Sequence, residues 1–352
     1  MRTIRVLQLF GEMDLRVVDL PMPKCGPDEV LIRTEYCGVC GSDIPRVLEG
    51  KVRFFPVTLG HEFSATVVEV GSNVTHVKEG DLVAAIPLLV CHKCPNCLDG
   101  NYGQCLSARF IGSSLATTGG FAEYNVFPAT NVMKLPEGID PMAAAFVEPA
   151  SVAMHGLFLM DFKPCTDIAI MGVGTIGNLV LQAAKIMGAR HIYAFDSDDE
   201  RLALAEKSGA YRCYNTSDPS FLDAFLADTG GLGVENVVEA VGKEVTINNC
   251  IKIAKVNGRI SLIGTMNEDV TIPPELFYQG FSRKQLSMHG VWMSYSDIFP
   301  GKPWRSAAHF IRTGQIDVSS ILDRVIPLEE AMMAFEDYRI PGKIKGKVML
   351  KF

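Results

Sequence analysis

Short alternating runs of apolar and polar residues open the chain. Residues 4–9, 15–20 and 29–36 read as β-strands, separated by turns containing Pro and Gly. Residues 59–69 and 81–86 alternate in the same way, with turns at 71–73 and 79–81, and 119–124 returns to a strand. This is the texture of an antiparallel barrel. Residues 140–160 then read as one helix. At Asp167 the pattern changes: Ile168-Ala169-Ile170-Met171 is a continuous apolar run, as in a strand buried on both faces. A helical segment (179–188) and a strand (191–195) follow. Helices at 198–208, 219–227 and 243–256 then alternate with strands at 212–215, 234–240 and 259–264. Such alternation predicts a doubly wound parallel sheet of about six strands, so the fold class is α/β. From about residue 290 the chain is expected to rejoin the first domain, ending in a strand at 346–350. The expected division is a β-rich domain (1–150 with 290–352) and a doubly wound α/β domain (151–289).

Length and charge narrow the function. A chain of 352 residues suits about two domains. A net charge of -7 argues against a nucleic-acid partner, which would need a basic face. The N-terminus runs straight into strand-like alternation without the apolar core and cleavage site of a secretory signal. No apolar stretch reaches the roughly 20 residues of a membrane span; 143–160 comes nearest and is broken by Glu148, Pro149 and His155. A cytoplasmic location is therefore expected. Ten cysteines in a reducing compartment point to metal or packing rather than to disulfides. Cys25, Cys37, Cys165, Cys213 and Cys250 read as small buried hydrophobes.

The remaining cysteines carry chemistry. Cys91, Cys94 and Cys97 recur every three residues and Cys105 lies eight further on. Four thiolates in one loop enclose a zinc tetrahedrally, a closed structural site in a lobe spanning 88–108. A second donor set is more open. Cys40-Gly41-Ser42-Asp43 offers a thiolate, a hydroxyl and a carboxylate, Gly60-His61-Glu62 an imidazole beside a carboxylate, and Glu148-Pro149 a further carboxylate. Cys40, His61 and one or both of Glu62 and Glu148 would supply three protein ligands and leave a position free, the mark of a catalytic zinc.

The run at 168–171 leads into Gly172-Val173-Gly174-Thr175-Ile176-Gly177, and an acidic residue, Asp196, closes the next strand. After a strand and before a helix, this glycine pattern is the dinucleotide fingerprint. The glycines admit the pyrophosphate to the helix N-terminus, and the carboxylate takes the adenosine ribose hydroxyls. Asp196 favours NAD, whereas Arg201, five residues on, could accommodate a 2′-phosphate. Gly264, at the end of a later strand, completes the expected cofactor set.

Together these pieces resemble one family over nearly the whole chain, the zinc-dependent medium-chain dehydrogenases. Within it the chain is similar to the polyol-phosphate branch, through Cys40-Gly41-Ser42-Asp43-Ile44-Pro45-Arg46, 86–91, Trp292-Met293-Ser294-Tyr295-Ser296 and 300–304. The resemblance implies a GroES-like β-rich catalytic domain joined to a Rossmann domain, two zinc ions per chain, NAD, and a homodimer or homotetramer. It further implies oxidation of a secondary alcohol on a sugar-alcohol phosphate to the ketose phosphate, with Ser42 as proton acceptor, Arg46 as phosphate partner, and Trp292 and Tyr295 at the substrate. Arabitol-phosphate, ribitol-phosphate and free-polyol (sorbitol-type) oxidation are the neighbouring readings. A catalytically silent NAD-binding sensor is the reading from another class, and it should have lost Cys40, His61 or Glu148. Two positions depart from the family pattern: Ala65 stands where glycine is usual, and Pro45 where many members carry a relay histidine.

Overall fold

The computed structural model describes residues 2–114, 119–296 and 298–352. The chain separates into two compact units, Met1–Pro149 with Tyr295–Gly314 and Leu322–Phe352, and Ala150–Ser294 with Gln315–Ile321.

In the first unit, Thr3–Gly11 pairs antiparallel with Asp14–Pro21 and with Val57–Thr58. A larger seven-stranded sheet is built around Glu29–Gly38. Along one edge this strand pairs antiparallel with Glu62–Val70, in a register that sets Gly38 opposite Glu62. Its opposite edge is shared: Tyr124–Pro128 covers positions 29–33, and Lys347–Lys351 covers 36–38. The C-terminal strand therefore ends up close to the start of Glu62–Val70, although 285 positions separate Lys347 from Glu62. Leu9, Ile32, Phe63 and Phe127 on these strands, with Leu59 and Phe121 just outside them, are fully buried and form one core. Ala65 is also fully buried there, so its methyl fits within the packed sheet.

In the second unit, six parallel strands run in the order Arg212–Asn215, Ile192–Asp196, Ile168–Met171, Val234–Glu239, Ala254–Leu262 and Ser287–Gly290. Ile168–Met171 is buried along its whole length, as a central strand with both faces covered must be. The sheet's order reverses between Ile168–Met171 and Val234–Glu239, the switch point at which such folds bind ligands.

Three local differences from the sequence pattern stand out, two of them with a physical cause. The expected helix 140–160 is two helices, Pro141–Ala144 and Val147–Leu159. Pro149 has no N–H for the carbonyl of residue 145, so one continuous ladder is impossible there. The helix expected over 243–256 ends at Ile253, and the next strand begins at Ala254. Asn257 takes a left-handed conformation (φ 60°) and irregular pairing follows as far as Asn236 opposite Arg259. The strand Leu322–Pro327, parallel to Lys347–Lys351, was not expected from the sequence at all. Among the cysteines assigned to packing, Cys37 and Cys250 are buried, Cys25 and Cys213 half-buried, and Cys165 exposed.

Candidate active site

The turn after Glu29–Gly38 carries Cys40 and leads into a six-residue helix, Asp43–Leu48. The neighbouring strand starts at Glu62 and has His61 just ahead of it. The sulfur, a ring nitrogen and a carboxylate oxygen of Cys40, His61 and Glu62 lie within 4.8 Å of one another. An ion with bonds of roughly 2.0–2.3 Å can bridge that span with small adjustment. A soft thiolate, an imidazole and a carboxylate form a donor set that suits zinc. Burial, with the charge of Glu62 beside it, pushes the Cys40 thiol well above its ordinary range, so binding a metal there must release a proton.

Asp43 organises this turn. Its carboxylate is wholly buried, and Oδ2 accepts from the Cys40 backbone N–H at 3.2 Å. Oδ1 accepts from Arg46 Nη1 at 2.9 Å and lies 3.8 Å from His61 Nδ1. His61 Nδ1 is buried with no hydrogen-bond partner, which leaves it open as a donor towards Asp43 or as a metal ligand. Ser42 Oγ donates to Cys40 Sγ at 3.3 Å and accepts from Arg46 Nη1 at 3.2 Å. Sequence reasoning thus placed Ser42, Asp43 and Arg46 in one turn but did not foresee that a single guanidinium nitrogen joins all three.

Glu62 has a partner that no local motif announced. Lys347, itself buried, holds its ammonium 2.8 Å from Oε1 and 2.6 Å from Oε2, and donates to the Val39 carbonyl at 3.1 Å. Burial alone would lower the Lys347 pKa; the charges of Glu62 and Cys40 outweigh it and hold it above the ordinary lysine range. Glu148, half-buried in the first turn of Val147–Leu159, feels the charges of His61, Glu62, Lys347 and Asp43. Desolvation pushes its carboxyl up to about 7. Glu148 thus feels the charges of the cluster in which Lys347 contacts the Glu62 carboxylate directly.

Of the aromatic residues singled out, Tyr295 is buried and stacks between Phe299 and Trp304 (ring centroids 5.6 and 6.0 Å) with its hydroxyl unpaired. Trp292, in the second unit, is 60% exposed. The four-cysteine lobe, closed by pairing of Leu88–Leu89 with Arg109–Phe110, brings Cys91, Cys94, Cys97 and Cys105 within 4.8 Å. Backbone N–H groups of Leu106 and Cys97 lower the Cys94 thiol to about 6, which favours the thiolate a zinc requires. The donor chemistry fits zinc at both clusters.

In the second unit the glycine loop joins Ile168–Met171 to the helix Thr175–Ile186, whose first turn holds Thr175, Ile176 and Gly177. A Cβ on Gly177 would stand 1.8 Å from the Gly172 carbonyl oxygen, so this close approach tolerates only glycine. Beside the loop is a cavity of about 520 Å³, lined among others by Gly172, Gly174, Asp196 and Arg201. Asp196 is held in place: Oδ2 accepts from the Val173 N–H at 2.9 Å and Oδ1 from the Asp198 N–H at 3.1 Å. Arg201 Nε is buried without a partner. Gly264 does not line the cavity; it packs behind it, against Gly242 and Glu239. Val241, Lys243, Thr216 and Thr246 do line it and were not singled out from the sequence. Their signal was weak: they follow strands Arg212–Asn215 and Val234–Glu239 at the carboxyl ends, where ligands gather in such sheets.

Residues 26–137 match the family model for the alcohol dehydrogenase GroES-like domain, and residues 175–309 that for zinc-binding dehydrogenases. The chain belongs to the zinc-dependent medium-chain dehydrogenases and is an oxidoreductase of the alcohol/polyol class. It is 34% identical to galactitol 1-phosphate 5-dehydrogenase of Escherichia coli (strain K12), over 94% of this chain and 96% of the relative. The crystal structure of galactitol-1-phosphate dehydrogenase from Escherichia coli superimposes with a TM-score of 0.92, at 33% identity, covering 100% of both chains. L-threonine 3-dehydrogenase of Bacillus velezensis is 32% identical over 94% of each chain. A zinc-binding dehydrogenase from Sinorhizobium meliloti 1021, solved with NADP bound, has a TM-score of 0.90 at 29% identity, covering 100% of both chains. No helix among the described residues is long and apolar enough to cross a membrane.

Proposed function

We propose that this chain oxidises a secondary alcohol of a sugar-alcohol phosphate, of the galactitol 1-phosphate type, to the ketose phosphate with NAD. The first unit carries the metal and alcohol site and the second the nucleotide. Cys40 and His61, with Glu62 or Glu148, would hold a zinc ion, which would supply Lewis acidity to the substrate hydroxyl, and a bound NAD would supply the hydride acceptor. Ser42 accepts the hydroxyl proton and passes its own outward, since Pro45 offers no imidazole. Asp43 holds the Cys40 turn and faces His61, keeping both ligands in place. Asp196 discriminates for NAD by accepting from both ribose hydroxyls and repelling a 2′-phosphate.

One observation carries the substrate reading. Arg46 spends Nη1 on Ser42 and Asp43, while its Nε and Nη2 have no protein partner among the described residues. A guanidinium with donors to spare, six residues beyond Cys40, suits bidentate binding of phosphate in a chain of net charge -7. The test compares galactitol 1-phosphate, arabitol phosphate and their free polyols on wild type and Arg46→Ala. Losing one charge-assisted contact should cost about 1.5–3 kcal/mol, roughly ten- to a hundredfold in kcat/KM for the phosphate ester. A wild type that oxidises free galactitol or sorbitol as efficiently as any phosphate ester overturns the substrate. An unchanged phosphate preference in the variant overturns only the role of Arg46.

A further inference from the structure

One wall of the nucleotide cavity, beside the glycine loop, is the segment that follows Val234–Glu239. Ala240, Val241, Lys243, Val245 and Thr246 line it, facing Gly172, Gly174 and Asp196. Ala240–Lys243 connect the strand to the helix Glu244–Ile253, and Val245 and Thr246 lie in that helix's first turn; a wall of this kind, if left mobile, binds a ligand at an entropic cost. Glu239 lies behind this wall and does not line the cavity. Its side chain is wholly buried at the switch point, where Glu239 pairs in register with Met171 on one side and with Leu262 on the other.

One carboxylate oxygen holds the segment. Glu239 Oε1 accepts from the Val241 N–H at 2.9 Å, the Gly242 N–H at 2.8 Å and the Thr246 hydroxyl at 2.7 Å. It also lies at the N-terminus of the ten-residue helix Glu244–Ile253, where a negative charge is favoured. Space is tight on the far side: a Cβ at Gly264 would stand 2.5 Å from Glu239 Oε2 and 2.3 Å from the Gly242 nitrogen. The expected cofactor glycine, Gly264, is therefore needed to let this carboxylate and loop close up. Val241, held by its N–H, in turn packs on the glycine loop, with Cγ2 only 2.4 Å from the place of a Cβ at Gly172.

We infer that Glu239 is a positioning residue for the dinucleotide: by gathering three donors onto one buried oxygen it pre-forms the wall from Ala240 to Thr246. This holds for NAD or NADP and for any alcohol, so it stands apart from the substrate reading. Glu239→Ala removes the acceptor. Glu239→Gln keeps an amide oxygen that can take the same three bonds. Nucleotide binding is read on the zinc-loaded enzyme by titration calorimetry with NADH and NADPH, beside KM and kcat for the nucleotide. Amide hydrogen exchange is followed at Val241 and Gly242. Glu239→Ala should raise the nucleotide Kd and KM at least tenfold, with a smaller change in kcat, and should speed exchange at both amides. Glu239→Gln should remain within about threefold of wild type. A folded Glu239→Ala protein whose Kd lies within twofold of wild type overturns the inference. So does a loss that shows only as fewer binding sites of unaltered Kd, the signature of instability alone. If Glu239→Ala does not fold, Glu239→Asp, which keeps the charge but draws the oxygen back by one methylene from its three donors, decides the matter. Faster exchange at Val241 and Gly242 with a Kd raised threefold or more supports the inference, and an unaltered exchange rate overturns it.

Discussion

Lys347→Met isolates the buried pair that anchors Glu62. Lys347 and Glu62 are 4% and 1% exposed, so neither charge has water to fall back on. The ammonium reaches both carboxylate oxygens, at 2.8 and 2.6 Å, and a backbone carbonyl at 3.1 Å. Methionine preserves most of the stem's volume and deletes the charge, leaving a carboxylate enclosed beside Cys40 and Asp43. Breaking a buried pair from one side costs about 3–5 kcal/mol. For a unit of this size that is on the order of 10 °C in melting temperature. Much of the cost is the stranded carboxylate, so the double variant Glu62→Gln/Lys347→Met should recover more than half of it. The raised Lys347 pKa means its contribution is fully present below the ordinary lysine value and is lost only as pH rises beyond it, so the deficit should be flat in Lys347's protonation between pH 6 and 9. Urea unfolding followed by tryptophan fluorescence suits the measurement. Of the two tryptophans, Trp304 is wholly buried in the first unit and Trp292 is 60% exposed in the second. A Lys347→Met protein within 1 kcal/mol of wild type, with a double variant no better than the single one, would refute the reasoning.

Cys94→Ser should lower thermal stability and zinc content by one ion while the folded enzyme keeps turnover within a small factor; metal analysis beside activity decides it. Cys40→Ser or His61→Ala should instead abolish turnover with milder effects on unfolding, which the same pair of assays reads. Asp196→Ala should narrow the ratio of kcat/KM for NAD over NADP, and a wild type equally efficient with both would remove Asp196 from the role of discriminator. His155 is buried on Val147–Leu159, and desolvation lowers its pKa to about 4. Its neutral form stabilises the fold above the ordinary value of 6.5, and that stability, at most about 3 kcal/mol, is lost as pH falls from there towards 4. His155→Phe should flatten this part of the pH–stability curve, measured by denaturant midpoint.

What was legible in the sequence was what is local in it. The glycine loop with Asp196, the four cysteines of the lobe and the Cys40 and His61 motifs each occupy a few consecutive positions, and their chemistry is set by spacing. The apolar run 168–171 announced a strand buried on both faces because that environment leaves no polar position. Lys347 was not legible, because one lysine in an alternating C-terminal strand looks like any solvated lysine. Only the pairing of Met349 with Gly38, and of Gly38 with Glu62, brings it to the site. Glu239 was hidden for a similar reason: the Glu-Ala-Val-Gly at a strand end reveals nothing of three donors turned inward. The break at residues 145–146 could have been foreseen from Pro149, had the missing N–H been weighed against the helical periodicity.

The replacement of a relay histidine by Pro45 and the presence of Arg46 belong to one arrangement. Proline suits the first turn of Asp43–Leu48, where its missing N–H has no intrahelical partner to lose. That short helix brings Arg46 back over Ser42 and Asp43, at 3.2 and 2.9 Å. The cation neutralises a carboxylate that is itself wholly buried, and the same carboxylate supports the Cys40 backbone and faces His61. Any anion that engages the remaining guanidinium donors therefore also competes for the partner of Asp43. A phosphate bound at Arg46, as proposed above, would be linked to the orientation of His61 through one oxygen, Asp43 Oδ1. Lysine could not serve both ends, since a single ammonium lacks the second, outward pair of donors. Arg46→Lys should accordingly retain the fold and the Asp43 contact while losing much of any preference for a phosphorylated substrate.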